Sequence, residues 1–274
     1  MPVDFEFKDR YGTDDLLRLI TLLRAPDGCP WDREQTHESI KKNFIEETYE
    51  VVEAINKDSY TMLREELGDV LLQIVLHCEM EREQGHFDFS DIVDELVKKL
   101  VIRHPHVFGD VVANDTAQAL NSWDDAKQKS KGTKSQTESM LSVPMELPAL
   151  MRAQKIQHKA SKIGFDWDNS DGAFDKLNEE IAELKQAVAN GDNDNITEEM
   201  GDMLFSCVNI SRFVGVDSED ALTCATNKFL ARFSVVEQLA REQGINMKTA
   251  GIEVLDALWE QAKDITKEKQ NAIG

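Results

Sequence analysis

The chain has 274 residues, 41% hydrophobic and 30% charged, with a formal net charge of −21. This apolar content excludes a disordered acidic chain, and the acidity argues against binding nucleic-acid backbones. No apolar run approaches the ~20 residues of a membrane-spanning helix.

Apolar residues recur three and four positions apart in 14–25, 44–55, 63–84 and 89–103, which predicts helices. The stretch 127–148, KQKSKGTKSQTESMLSVPMELP, is rich in Lys, Ser and Thr and closes on two prolines, so it reads as a linker. The helical pattern resumes at 149–163. Clean strand alternation is missing, so the expected fold is all-α. Its predicted parts are a domain at 1–127, a linker at 128–148 and a second domain at 149–274.

The two domains are copies. LNEEIAELKQAV (177–188) repeats FIEETYEVVEAI (44–55) at an offset of 133 residues, and ITEEMGDMLFSCV (196–208) repeats LREELGDVLLQIV (63–75) at the same offset. GCPWD (28–32) returns as GFDWD (164–168), and Trp123-x-x-x-Lys127 returns as Trp259-x-x-x-Lys263, both at 136. The order EExxE, then ExxD, is thereby duplicated with its internal spacing intact.

On a helix, Glu47 and Glu50 are neighbours, as are Glu66 and Asp69, and both pairs border the core-facing stripe. Antiparallel packing of the two helices sets these acids across one cleft. Like charges so placed repel, and partial burial raises the cost. A divalent cation offsets it, and carboxylates with water are the ligand set of Mg²⁺ or Mn²⁺ rather than zinc. One EExxE alone is an ordinary solvated face; the repeat at unchanged spacing points to metal. Gly68 and Gly201, each inside an ExxD, leave room for another group to approach.

Other chemistries find little support. A di-iron bundle needs two Glu-x-x-His motifs, and Glu34-x-x-His37 stands without a repeat partner. His104 and His106 also lack counterparts in the second half and read as structural or specific to the first domain. There is no GxSxG and no GxxxxGK[ST] loop. The four cysteines, Cys29, Cys78, Cys207 and Cys224, form no CxxC pair and read as isolated buried thiols in a reducing cytoplasm. MPVDFEFKDR shows no signal-peptide pattern, so a soluble cytoplasmic protein is expected.

GCPWD, EExxE followed by ExxD, HPHVF, and the second GFDWD…EExxE…ExxD together resemble the MazG family of bacterial nucleoside triphosphate pyrophosphohydrolases, over essentially the whole chain. The resemblance implies hydrolysis of nucleoside triphosphates between the α- and β-phosphates, giving a monophosphate and pyrophosphate. It implies Mg²⁺ on Glu180, Glu183, Glu199 and Asp202, with Glu47, Glu50, Glu66 and Asp69 as the matching set, and Mn²⁺ as a possible substitute. Glu179 and Glu46, beside Glu180 and Glu47, would orient or deprotonate the attacking water. Lys176, Lys228, Arg232, Trp259 and Lys263 match nucleotide-binding positions, including those for ATP. Lys99 and Arg103 are weaker counterparts in the first domain, and Asn43 replaces Lys176 there, so turnover is expected in the second. Superfamily members assemble from paired helical units, which implies a homodimer. A broad base preference and a role in clearing nucleotides are the leading expectation. The alternatives are a narrower pyrophosphohydrolase acting on dUTP, phosphoribosyl-ATP or an alarmone, and a helical scaffold with vestigial metal sites.

Overall fold

The computed structural model describes residues 5–131 and 135–271. Among these the chain is helical, with no strand, and it divides into two compact units, Met1–Lys131 and Gly132–Gly274. The first unit comprises α1 (Thr13–Arg24), α2 (Pro30–Glu34), α3 (His37–Asn56), α4 (Tyr60–Gln84), α5 (Phe89–Arg103), α6 (Pro105–Phe108) and α7 (Thr116–Lys131). The second comprises α8 (Gln136–Leu141), α9 (Ala149–Ser161), α10 (Ser170–Asn190), α11 (Asn193–Phe213), α12 (Ser218–Glu242) and α13 (Ile252–Asn271). The two follow one plan. A leading helix (α1 or α9) packs on the second arm of a long hairpin (α3–α4 or α10–α11), and a further helix pair (α5–α7 or α12–α13) follows.

Part of the segment expected as a linker is built into helices. Residues 128–131 end α7, and α8 occupies 136–141 and packs on α9. Val143 is buried, and Lys159 Nζ donates to Ser139 Oγ at 2.7 Å. Met140 and Leu147 are half-buried on either side of Val143.

Each hairpin is started by a side chain and closed by a tight turn. Thr36 accepts from the Ser39 N–H and begins α3; Ser59 and Asp192 cap α4 and α11 in the same way. At the turn, Asp58 adopts a left-handed backbone (φ 49°), and the equivalent residue in the second unit is Gly191 (φ 70°). In the first unit, Ile20, Ile40, Val75, Leu76 and Met80 form a core between α1, α3 and α4. In the second, Val235, Val236, Ala240, Leu258 and Ala262 form one between α12 and α13.

GCPWD owes its shape to a close approach. A Cβ on Gly28 would stand 2.2 Å from the Leu22 carbonyl oxygen, so only glycine fits where Cys29 N–H bonds back to Leu23 O at 2.7 Å. Arg24 then ties the corner to α4. Its Nε and Nη2 donate to both Glu83 oxygens, at 2.8 and 2.9 Å, and its Nη1 donates to Asp32 O and Gln35 O. In the second unit Arg212 grips both oxygens of Asp166 of GFDWD, here through Nη1 and Nη2.

The cysteines differ from expectation. All four are free, but only Cys78 is buried; Cys29 is half-buried, and Cys207 and Cys224 are exposed on α11 and α12.

Candidate functional site

Helix pairing turns the two sequence motifs into two carboxylate groups. In the first unit, Glu47 of α3 and Glu66 and Asp69 of α4 each offer an oxygen within 4.8 Å of the others. In the second unit Glu180 of α10 and Glu199 and Asp202 of α11 do the same. Oxygens on opposite sides of a six-coordinate Mg²⁺ lie about 4.2 Å apart, so small side-chain rotations close either group on an ion. The donors are all oxygen, which suits Mg²⁺ or Mn²⁺ and not zinc.

The electrostatics mark the same groups. Burial, then the charges of Asp69 and Glu50, pushes the Glu47 carboxyl above the usual glutamate range. Glu66 is raised by burial and by Glu50. Glu199 is raised by burial and then by Glu183, Glu180 and Asp202. Glu50 and Glu183, although outside the tight trios, thus face them. Glu180 is 4% exposed. At Gly68 and Gly201 an added Cβ would meet nothing within 4 Å, so nothing in the chain itself uses that space.

The remaining expected residues are placed differently. Lys176 Nζ bonds Glu180 at 2.6 Å and Glu179 at 2.9 Å, because positions i, i+3 and i+4 of α10 share a face. The two carboxylates raise the Lys176 pKa further above its ordinary value, so an ammonium sits on the second trio. Asn43 provides no such cation in the first unit. Glu179 is exposed and engaged by Lys176, and Glu46 is exposed; neither belongs to a trio. Lys228, Arg232, Trp259 and Lys263 lie on the α12–α13 pair. Arg232 sits over the Trp259 ring at 5.9 Å, Phe229 packs against the same ring at 5.2 Å, and Lys263 is bonded to Glu260. Among the described residues no hydrogen bond or ion pair joins these four to the acids.

Sequence reasoning missed a polar chain farther along the first hairpin. His37 Nδ1 and His77 Nδ1 are 2.6 Å apart, His37 Nε2 is 2.6 Å from Glu81 Oε1, and His86 Nδ1 is 2.6 Å from Glu81 Oε2. The His37 and His77 rings lie 3° from parallel with centroids 4.9 Å apart. That separation exceeds the nitrogen–nitrogen distance by about two ring radii, so the rings meet edge to edge through one shared proton. Hydrogen bonds from His86 and His37 outweigh burial and hold the Glu81 carboxyl below its usual range. The i, i+4 spacing of His77 and Glu81 was visible in the sequence; the third partner, 40 residues away, was not.

Two all-α units, each carrying an oxygen-only acidic group on one hairpin, define a tandem helical protein with one carboxylate cluster per unit. The signature of the MazG nucleotide pyrophosphohydrolase domain matches residues 35–108 and 171–237, which contain both hairpins. The chain belongs to the MazG nucleotide pyrophosphohydrolase family. It is 45% identical over 250 residues to the nucleoside triphosphate pyrophosphohydrolase/pyrophosphatase MazG of Thermotoga maritima, covering 91% of this chain and 95% of that protein. It is 42% identical over 255 residues to a nucleoside triphosphate pyrophosphohydrolase of Escherichia coli K12, covering 91% and 96%. YabN of Bacillus subtilis, described as uncharacterized, is 42% identical over 247 residues, which span 90% of this chain and half of YabN.

Proposed function

We propose that the protein is a Mg²⁺-dependent hydrolase that cleaves nucleoside triphosphates, ATP among them, between the α- and β-phosphates. The observation that carries this reading is the pair of carboxylate trios, Glu180/Glu199/Asp202 and Glu47/Glu66/Asp69. Mg²⁺, held by these acids with Glu183 and Glu50 beside them, would neutralise phosphate charge, polarise the phosphoryl oxygens and acidify a bound water. Without that counter-charge a triphosphate would be repelled by the acids.

The residues of the chain supply position and proton transfer. Glu179 and Glu46, at the edges of the groups, are the bases for the attacking water, and Glu179 is free for this once Lys176 turns to a phosphate. Lys228, Arg232 and Lys263 would bind phosphate oxygens, and Trp259 would stack on the base. Stacking accepts any base, which supports broad specificity and a role in clearing nucleotides from the cytoplasmic pool. The larger set of cations in the second unit favours turnover there.

A homodimer belongs to the same proposal. Val93, Leu96, Val97, Leu100 and Val101 expose one apolar face of α5, and Leu222, Phe229, Leu230 and Phe233 expose one of α12.

Incubation of the protein with each nucleoside triphosphate and Mg²⁺ should yield the monophosphate and pyrophosphate. Diphosphate and orthophosphate as products would overturn the reading. Glu180→Gln should lower kcat by on the order of 100-fold or more, and Glu47→Gln much less.

A further inference from the structure

In a chain with 31 basic and 52 acidic side chains, a half-buried arginine without a carboxylate partner is unexpected. Among the described residues Arg103, Arg152 and Arg232 fit that description, and the first and last stand at matching stations against a tryptophan. Arg103, the last residue of α5, lays its guanidinium over Trp123 of α7 at 5.6 Å; Arg232 of α12 lies over Trp259 of α13 at 5.9 Å. In both, Nε is buried with no acceptor, and neither guanidinium makes a hydrogen bond or ion pair among the described residues. The tryptophans repeat at an offset of 136 and the arginines at 129. The mismatch arises because α5 stops before Pro105 whereas α12 continues to Glu242, and packing restores the match.

A guanidinium drawn partly out of water needs a counter-charge. Finding the same unpaired arrangement in both copies points to a counter-charge that the described residues of neither copy supply. The planar fork of arginine, backed by an aromatic face, suits phosphate oxygens. In the first unit an imidazole packs on the same tryptophan, with a second imidazole against the first. The His104 ring is 4.7 Å from Trp123 and 5.6 Å from His106. His104 Nδ1–H donates to Leu100 O at 2.7 Å, which leaves Nε2 available, and His106 Nδ1 is buried without a partner.

We propose that Arg103, His104 and Trp123 form a polyphosphate seat in the first unit, an anion-binding site additional to the one proposed around Arg232 and Trp259 in the second. The seat takes the phosphates on the guanidinium, and on His104 Nε2 when that ring is the imidazolium, which donates from both nitrogens. Only its assignment to nucleotides rests on the function proposed above.

Calorimetric titration of the full chain in Mg²⁺ with α,β-methylene-ATP, and separately with pyrophosphate, tests it. The wild type should bind two equivalents of the analogue per chain. Arg103→Ala and Arg232→Ala should each leave one, and Arg103→Lys should weaken the first-unit site at least tenfold because the fork is lost. Loss of pyrophosphate binding in Arg103→Ala would identify the phosphate as the recognised group; loss of the analogue alone would identify a nucleotide. Unchanged stoichiometry and affinity for both ligands in Arg103→Ala would overturn the seat. If that variant is misfolded by circular dichroism, the His104 ring resonances of the wild type decide: they shift on adding Mg²⁺-pyrophosphate, or the seat is refuted. Two sites without hydrolysis would sink the proposed activity and leave the seat standing, whereas hydrolysis with a single site that Arg232→Ala abolishes would sink the seat alone.

Discussion

Glu47, Glu66 and Glu199 hold protons more tightly in the fold than in an unfolded chain, where the ordinary value is 4.5. Above that value the folded state therefore binds more protons, and stability falls as pH rises until the raised values are passed. A bound divalent cation removes the cause. Scanning calorimetry in EDTA should show this loss on the alkaline side of pH 4.5, and the same scans in Mg²⁺ should show a higher Tm and a flatter profile. The gain is about 2.7 kcal/mol when the ion is present at 100 times its Kd. Identical profiles in EDTA and Mg²⁺ would remove the metal from the site. His77 has the opposite sign. Burial and then the charge of His37 push it below its ordinary 6.5, so stability falls as pH drops below that value. The single proton between the two rings also means that the pair cannot accept two charges and stay bonded. Histidine NMR should place the His77 transition below 6.5; a His77 transition at or above 6.5 would contradict this.

At the level of elements, the two hairpins test one another. Asp58 and Gly191 occupy the same turn with left-handed backbones, and aspartate is one of the few side chains that tolerates it. Asp58→Gly should stabilise the first unit by about 0.5–1 kcal/mol, read from urea unfolding. A loss of stability would mean that the Asp58 side chain contributes more than its backbone costs. The hairpins themselves were legible in the sequence, because apolar spacing and the caps Thr36, Ser59 and Asp192 are local signals. The docking of α8 was not, since it depends on α9 being present to receive it.

For the whole molecule, the exposed apolar faces of α5 and α12 predict self-association. Sedimentation equilibrium should give a dimer mass, and charged substitutions at Phe229 and Leu230 should shift it toward the 31.0 kDa monomer. A monomer at all concentrations would leave those faces unexplained. Within each unit, the acids come together because α3 meets α4 and α10 meets α11, a consequence of one short turn in each case.

The sequence by itself determined the helical class, the duplication and the identity of the converging acids, because each depends on spacing along the chain or on contacts between adjacent helices. Tertiary structure alone decided that Lys176 rests on Glu180 and Glu179, that His37 reaches His77, and that Arg103 lies over Trp123 as Arg232 lies over Trp259. These depend on side-chain direction or on contacts across intervening elements, and when the intervening lengths differ between copies, as they do after Arg103 and Arg232, an offset in sequence no longer reports a position in space.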